Sequence, residues 1–320
     1  MPGSRLVSFG QTSWLVPALA GLLLTGLFSP AISDSDFWWH LKTGQYIQDH
    51  RGLPVPDPFA FTTTGAKPAY AGEEITRHFN LTHEWLAQSL LYGIYRMAGF
   101  PGVVLARALL LTAFCGLAAL IAYRRSGGLY RSLAAAMATA AAVTPFAVDR
   151  PFLVTFVLLA ATLAIFEFRR FLWALPVIFL AWANCHGGFF LGLVAAAAYS
   201  AEAWLRKEPD RRQVWIWSAA ATIISGLNPN GYRIFEILVF YRNSFLTSRL
   251  LEWARPPLWP PSLFSVLLVG GAAVLVWARR RVRPVDWILF AAFSGAGLTA
   301  YRNVPLIGLW APIVIVAYLP

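Results

Sequence analysis

The amino-acid sequence predicts an all-α membrane protein with about ten transmembrane helices, and three observations support this. Hydrophobic residues make up 58% of the 320 residues and charged residues only 13%, about half the charged fraction of an ordinary soluble domain. The mean hydropathy is +0.57, and apolar runs recur along the whole chain instead of forming one anchor. Basic residues are concentrated between these runs, which is typical of the loops of membrane proteins.

The apolar runs give the positions of the predicted spans. A helix needs about 20 apolar residues to cross a bilayer, and shorter runs suffice where polar helix ends extend into the loops. The first run is 19 residues long, which is long for the core of a signal peptide, so we expect it to be retained as a span. The predicted spans of this single polytopic domain, residues 1–320, are 14–32, 101–123, 132–148, 151–168, 171–184, 188–204, 213–227, 262–278, 285–301 and 303–319.

The distribution of Lys and Arg predicts the orientation of these spans. Many of the basic residues fall in the N-terminal segment or in alternate short loops, which the positive-inside rule places in the cytoplasm. With ten spans, both termini are then cytoplasmic. The residues that carry this prediction are Arg5, Arg124, Arg125, Arg131, Arg169, Arg170, Arg206, Lys207, Arg211, Arg212, Arg279, Arg280, Arg281 and Arg283.

The formal net charge of +11 does not indicate a nucleic-acid partner. A protein that binds DNA or RNA gathers its basic residues on one face, whereas here they are dispersed between apolar segments. The two cysteines, Cys115 and Cys185, provide neither a disulfide framework nor a zinc-binding spacing. The expected surroundings of the chain are therefore membrane lipids.

Two long segments fall on the outer side in this topology. The first, residues 33–100, contains proline-rich turns and two amphipathic stretches, from about residue 36 to 50 and from about 83 to 97, which we expect to form helices at the membrane interface. The second, residues 228–261, is expected to form a surface lid. All histidines lie on this outer side, namely His40, His50, His78, His83 and His186.

Acidic residues directly follow the first predicted span. On a helix, Asp36 and His40 are four positions apart and share a face, and Asp34 joins them if it lies in the turn before the helix. Two such carboxylates bind a divalent cation such as Mg²⁺ or Mn²⁺, or one of them takes a proton from an acceptor hydroxyl. The pattern equally fits a helix start, with Asp34 as the N-cap and Asp36 beside the helix dipole.

Further polar residues are candidates at other outer turns. The dipeptide His83–Glu84 offers a second acid, although Glu84 also suits the first turn of a helix. Arg150, after Asp149, suits either an ion pair at a tight turn or a phosphate, since its guanidinium is a fixed fork of donors. Arg302, near the outer end of a span, suits a phosphate contact, or its guanidinium group only extends to the membrane interface.

The stretch from Asn184 to Gly188 lies where one predicted span ends and the next begins. Polar groups such as Asn184 and His186 are costly at membrane depth and usually line a cavity. The adjoining glycines allow close backbone approach or an unwound turn. Asn228 lies in an Asn-Pro-Asn-Gly sequence that is an ordinary turn, and Arg255 lies in the predicted lid, where it could form a salt bridge.

Eight short motifs occur in order between Asp34 and Pro305. They are DSDFWWHLKTGQYI, LPVPDPF, HEWLAQSLLY, RPF, WANCHGGFFLG, LNPNGYR, EWARP and YRNVPL. This ordered set resembles a large bacterial family of polytopic membrane proteins that is grouped by likeness with the GT-C glycosyltransferases. Those enzymes include the oligosaccharyl transferases, the protein mannosyltransferases and the aminoarabinose transferases. The resemblance implies a GT-C-like helix bundle in the bacterial inner membrane.

The resemblance also implies an activity. GT-C enzymes take a sugar from a polyprenyl-phosphate or polyprenyl-diphosphate carrier and transfer it on the outer face. Asp36 would match the acid after the first span, Asp34 would complete a DxD-like element, and Glu84 is similar to the second acid. His40 and His83 complete the expected catalytic set. The substrate-binding candidates, proposed on chemistry alone, are Arg150, Asn184, His186, Asn228, Arg255 and Arg302.

Two other function classes remain open. The same fold could serve a non-catalytic subunit that docks membrane-protein partners. A transporter is a third class, but transporters usually carry ionisable residues at the midplane and inverted repeats. We find no internal repeat, and the charges lie at the outer ends. The enzyme hypothesis predicts that Asp36, His40, His83 and Glu84 meet in one outer pocket, within about 12 Å of one another, the limit for a bridged site.

Overall fold

A computed structural model of the chain describes residues 14–60, 67–68, 70–243 and 249–319. Over these residues the chain is helical and contains no β-strand, so the all-α prediction is confirmed. Arg5, used above for the orientation, lies outside the described residues. The helices are α1 Leu15–Leu27, α2 Asp36–His50, α3 Glu73–Thr82, α4 Trp85–Ser126, α5 Leu129–Val143, α6 Leu153–Phe168, α7 Leu175–Cys185, α8 Phe189–Leu205, α9 Arg211–Ile224, α10 Ile234–Asn243, α11 Leu263–Trp277, α12 Pro284–Thr299 and α13 Val304–Tyr318.

Each of the ten segments predicted as a span overlaps one of these helices. Within the described residues, two helical stretches are long and apolar enough to cross a membrane on their own, Glu73–Ser126 and Tyr301–Tyr318. Five other apolar stretches are shorter, at 10–17 residues. The structure thus shows a helical protein with two such stretches, and the count of ten spans stays a prediction.

Helix α13 is the centre of the bundle. Its residues from Val304 to Val314 are all buried, because α4, α5, α11 and α12 pack around it. A helix that is apolar around its whole circumference belongs in the interior. Thr139 on α5 donates a hydrogen bond of 2.9 Å to the carbonyl of Gly308, and a Cβ on that glycine would lie only 2.5 Å from the Cβ of Ala142. The helices α5 and α13 therefore cross in close contact.

Within its described residues, the segment 33–100 contains three helical elements, where two were predicted. Helix α2 has the predicted bounds, and the second predicted helix is the beginning of α4. At Gly99 the backbone turns to φ 63° and ψ −158°, and Pro101 follows, so the interfacial part and the longer apolar part of α4 are joined by a sharp bend. Helix α3, Glu73–Thr82, was not predicted.

Helices α2 and α4 cross so closely that their backbones touch. A Cβ on Gly44 would lie 2.0 Å from the carbonyl oxygen of Gln88, which leaves no room for any side chain. At the same crossing the amide of Gln88 contacts the ring of His40, with Nε2 3.1 Å from Nδ1. This crossing fixes α2 against the start of α4.

The second outer segment lies against the first. Helix α10 packs on α3, and a 3₁₀ turn follows at Leu251–Trp253. The backbone N–H of Tyr301 donates a 2.8 Å hydrogen bond to the carbonyl of Ala254, which ties this segment to the junction of α12 and α13. Residues 244–248 of the predicted lid lie outside the described part of the chain.

Candidate functional site

Three histidines surround one buried glutamate at the end of the bundle where α2, α3, α4 and α7 meet. Glu84 Oε1 lies 3.3 Å from His83 Nε2 and 3.6 Å from His186 Nε2. Its other oxygen, Oε2, lies 3.5 Å from His40 Nδ1. Glu84 and His40 are each only 9% exposed, so the group is nearly closed to solvent. These four residues are called the histidine cluster below.

The orientation of His83 follows from the end of α3. Its Nδ1 lies 2.8 Å from the carbonyl oxygen of Phe79, and its ring stacks on the Phe79 ring at 4.2 Å. Because a carbonyl only accepts, Nδ1 holds the proton and donates it. The other nitrogen, Nε2, then faces Glu84 Oε1. Two unprotonated acceptors at this distance repel each other, so the contact needs a positive charge, either a proton or a metal ion.

His186 is oriented from its opposite side. Its Nδ1 accepts a hydrogen bond of 2.9 Å from the N–H of Gly188 and lies 2.8 Å from Thr155 Oγ1. Thr155 Oγ1 in turn accepts from Trp182 Nε1 at 2.9 Å, which leaves the hydroxyl proton for His186. The chain of bonds fixes the ring so that Nε2 faces Glu84.

The two glycines after His186 are required by close packing. A Cβ on Gly187 would lie 2.8 Å from Phe79 Cζ, and a Cβ on Gly188 would lie 2.6 Å from Thr155 Oγ1. Gly188 has φ −66° and neither glycine has a positive φ, so conformational freedom is not the reason. The sequence suggested either close backbone approach or an unwound turn at these glycines. The structure shows close approach of their backbone to the side chains of Phe79 and Thr155.

Burial sets the charge state of the histidine cluster. It lowers the pKa of His186 to about 3 and also lowers the pKa of His40, because an imidazolium loses its hydration there. Burial by itself raises the pKa of Glu84, but the interactions with His83, and to a smaller extent with His40 and His186, outweigh burial and hold that pKa below its ordinary value. The glutamate is the ionised member of the group.

A second group is built around Arg150, directly beside the first. Arg150 Nη2 donates to Asp34 Oδ1 at 2.8 Å, and its Nε donates to the other oxygen of Asp34. Its Nη1 lies 3.0 Å from Asp36 Oδ2 and 3.6 Å from Glu252 Oε2. Arg302 Nη1 donates to Glu252 Oε1 at 3.2 Å. These five residues are called the arginine cluster below.

The two clusters influence each other. Asp36 and His40 occupy one face of α2, and the charge of Asp36 counters part of the lowering of the pKa of His40. The charge of Arg302 contributes to the low pKa of His186. Four residues were predicted to meet in one outer pocket. In the structure His40, His83 and Glu84 lie in the histidine cluster, and Asp36 lies in the adjoining arginine cluster.

Asp34 and Asp36 do not form an open cation site in this arrangement. Both carboxylates face the guanidinium of Arg150, which lies where a bridging Mg²⁺ or Mn²⁺ would otherwise bind. Partial burial raises the pKa of Asp34, but hydrogen bonds from Arg150 and from the backbone N–H of Asp36 outweigh it and lower that pKa. The fixed fork of Arg150 therefore replaces a cation between these acids.

The other predicted substrate-binding residues lie outside the two clusters. Asn184 Oδ1 accepts from Trp85 Nε1 at 2.8 Å, and its Nδ2 donates to the carbonyl of Leu227 at 2.9 Å, so it joins α4, α7 and the end of α9. Asn228 bonds within its own turn, to carbonyls of residues 225 and 231. Arg255 is exposed and has no ion pair with the described residues.

The sequence reasoning did not single out the pair formed by Arg107 and Asp149. Arg107 lies inside α4, 3% exposed, and forms an ion pair with Asp149. It also donates to the carbonyl of Phe28 at 3.2 Å. The position of Arg107 within an apolar run could have indicated a buried, paired charge, since charged residues in such runs are usually paired or functional.

A further polar cluster lies at the opposite ends of α4, α6 and α13. Arg283 donates to Glu167 Oε2 at 2.9 Å and to Glu202 Oε2 at 2.6 Å, and Arg125 donates to both oxygens of Asp286 at 2.7 and 2.6 Å. Several of the arginines used to assign the cytoplasmic side are therefore bound to buried acids. Arg125, Glu167, Glu202, Arg283 and Asp286 are called the distal cluster below.

Compared with models of protein families, with curated proteins and with solved structures, the chain matches none. The class that the fold and the site define is an all-helical protein in which a buried histidine–glutamate cluster adjoins an arginine–carboxylate cluster. The resemblance to the GT-C family stays a prediction.

Proposed function

We propose that this chain is a polytopic inner-membrane protein that transfers a sugar from a polyprenyl-phosphate-linked donor to an acceptor on the outer face. One observation carries the proposal: charged residues from widely separated segments meet at one end of the bundle. Arg150 reaches Asp34 over 116 positions, and Arg302 reaches Glu252 over 50. Isolated helix caps have no reason to meet, whereas the parts of a catalytic site do.

The surface of the bundle suits a lipid environment around the shorter helices. Large apolar side chains are exposed along several of the shorter helices, such as Leu23 at 76% on α1, Ile223 at 69% on α9 and Val269 at 66% on α11. Soluble monomers rarely expose extended apolar surfaces, and such surfaces suit a lipid environment. In this proposal the shorter helices cross the membrane as parts of a bundle, with the two termini in the cytoplasm.

The arginine cluster supplies the groups that the transfer needs. Asp36 has a side chain that is 55% exposed, so an acceptor hydroxyl can reach its carboxylate, which takes the proton as general base. The acceptor oxygen then bonds to the anomeric carbon, and the bond from that carbon to the phosphate oxygen breaks. The carrier phosphate leaves with the electron pair, and Arg150 and Arg302 stabilise its charge.

The catalytic part of the proposal is tested with Asp36→Asn. Purified parent and variant, in lipid nanodiscs, are assayed for sugar transfer from polyprenyl-linked donors, with thermal stability measured in parallel. We expect activity to fall by about 10²–10⁴-fold and stability to change by no more than about 1 kcal/mol. Asp49→Asn, an exposed aspartate on the same helix, is the control and should keep full activity. Equal transfer by the parent and Asp36→Asn would contradict the role of Asp36.

The topology is tested by labelling single cysteines from outside. With Cys115 and Cys185 replaced, a cysteine between residues 60 and 70 or at 255 should react with an impermeant maleimide in intact cells. A cysteine at 208 or 281 should react only after the membrane is permeabilised. Labelling of position 208 from outside would overturn the assigned orientation.

A second candidate is a non-catalytic GT-C-like subunit that docks membrane-protein partners. The observation that favours it is that Arg150 and Arg302 are already paired with carboxylates, as in a network that only holds segments together. This candidate predicts no transfer by the parent with any donor, and loss of stability in Arg150→Ala. Measurable transfer by the parent excludes it.

A further inference from the structure

The histidine cluster contains the atoms of a metal site that is separate from Asp34 and Asp36. We propose that it binds one divalent transition-metal ion of the zinc type, with His83 Nε2, Glu84 Oε1 and His186 Nε2 as ligands. Within the described residues, one ligand atom from each of these three side chains lies within 4.8 Å of those of the other two. This inference goes beyond the transferase proposal and does not depend on it.

The distances between the ligand atoms suit tetrahedral coordination. Zinc binds nitrogen and carboxylate oxygen at about 2.0–2.2 Å, which places neighbouring ligand atoms about 3.3–3.6 Å apart. Glu84 Oε1 lies 3.3 Å from His83 Nε2 and 3.6 Å from His186 Nε2. The two imidazole ligand atoms lie within 4.8 Å of each other, so this separation has to close to the same range when the ion binds.

The surroundings of His83 prepare it as a ligand. Its Nδ1–H is held by the carbonyl of Phe79, which is the usual outer contact of a metal-binding histidine. The lone pair of Nε2 then faces the ionised Glu84. An ion between Nε2 and Oε1 removes the repulsion between two acceptors and satisfies both.

His186 can bind the ion after one proton shift. Without metal, its Nδ1 accepts from Gly188 and its proton sits on Nε2. When Nε2 binds the ion, the proton moves to Nδ1, and the hydroxyl of Thr155, 2.8 Å away, rotates its own proton off this line and accepts the Nδ1–H. The bond from Trp182 to the same hydroxyl keeps Thr155 in place, while the bond from Gly188 is given up.

The donor set selects the type of metal. Imidazole nitrogens suit Zn²⁺ and its neighbours in the first transition row, whereas Mg²⁺ and Ca²⁺ prefer oxygen ligands. His40 Nδ1 lies 3.5 Å from the second oxygen of Glu84, but it accepts a hydrogen bond from Gln88 Nε2 and is not counted among the ligands. Three protein ligands leave a fourth position for water or substrate, as in catalytic zinc sites.

The test measures the metal alone. The full chain is purified without a histidine tag, treated with a chelator, desalted and titrated with Zn²⁺, and bound metal is counted by mass spectrometry. Co²⁺ serves as a second probe, because a tetrahedral nitrogen–oxygen site gives it visible absorption bands. The variants are Glu84→Gln and His186→Gln, and the control is His50→Gln, an exposed histidine at the end of α2.

We expect one equivalent of Zn²⁺ in the parent and in His50→Gln, with the dissociation constant raised at least tenfold in Glu84→Gln and His186→Gln. Zn²⁺ should also raise the melting temperature of the parent but not that of His186→Gln. A parent that retains no Zn²⁺ at micromolar concentration overturns the proposal even if a variant fails to fold. Equal binding by the parent and by folded His186→Gln overturns it as well. Sugar transfer is not read in this test, so its outcome and that of the transferase proposal are independent.

Discussion

The guanidinium of Arg150 bonds to both oxygens of Asp34, through Nε and Nη2, and so joins two turns that are 116 positions apart. The side chain of Asp34 is 6% exposed and that of Arg150 is 26% exposed. A planar guanidinium can bond to both oxygens of a carboxylate at once, whereas an ammonium acts as a single point charge. The contact is therefore specific for arginine and not merely for a positive charge.

Arg150→Lys tests that specificity. The variant keeps the charge but loses the paired hydrogen bonds to Asp34, so we expect the free energy of unfolding to fall by about 1.5–3 kcal/mol, the usual range for hydrogen bonds to charged groups. The measurement is thermal or denaturant unfolding in one detergent. Arg255→Lys is the control, since Arg255 is exposed, and it should leave stability unchanged. Full stability in Arg150→Lys would show that charge alone suffices.

Gly188→Ala tests the packing that holds His186. The new methyl would lie 2.6 Å from Thr155 Oγ1 and 2.9 Å from His186 Nδ1, so the ring must move, at a cost of about 1–3 kcal/mol. Gly295→Ala is the control, because its Cβ has no neighbour within 4 Å and alanine suits the helix interior better. Unfolding measurements should show a loss for the first variant and none for the second.

The pair of Asp34 and Arg150 predicts a dependence of stability on acid. The folded state lowers the pKa of Asp34, so the unfolded state takes up a proton at a higher pH than the folded state does. The stabilisation is complete above the ordinary aspartate pKa of about 3.9 and is lost as the pH falls through the lower folded value. Because other acids respond in the same direction, the quantity to measure is the difference between the parent and Asp34→Asn, which should shrink between pH 6 and pH 3.

Arg283→Ala tests the distal cluster. The substitution leaves the carboxylates of Glu167 and Glu202 buried without their main partner, and Glu202 is 0% exposed. Removing one partner of a buried ion pair costs about 3–5 kcal/mol. We expect a large drop in melting temperature or in folded yield. Arg279→Ala, at an exposed position nearby, should behave as the parent, and similar behaviour of both variants would contradict the structural role of Arg283.

The local pattern of apolar and polar residues was sufficient to predict the positions of most of the helices. Each apolar run of the sequence overlaps a helix, and the amphipathic stretch from about residue 36 to 50 gave α2 its bounds. Helix α3 escaped prediction because it is short and follows a stretch rich in threonine and glycine. Its position depends on packing against α10, which no short window of sequence contains.

The candidate residues were identified by type, but their partners were not. Composition and position alone nominated Asp36, Glu84, Arg150 and His186, and the structure brings all of them to one end of the bundle. Glu252 lies in the predicted lid, where a salt bridge was expected, but its partners Arg150 and Arg302 were not predicted. A glutamate in a loop has no local signal that distinguishes it from a solvated one.

The sequence by itself determined the helical class, the positions of the apolar helices and the set of polar residues at their ends, because hydrophobicity and charge spacing are local properties. The tertiary structure alone decided that three histidines surround Glu84 while both Asp34 and Asp36 face Arg150. Those contacts depend on the close crossing of α2 with α4 and on the turn after His186. Such crossings are set by the packing of side chains from distant segments, which spacing along one chain does not encode.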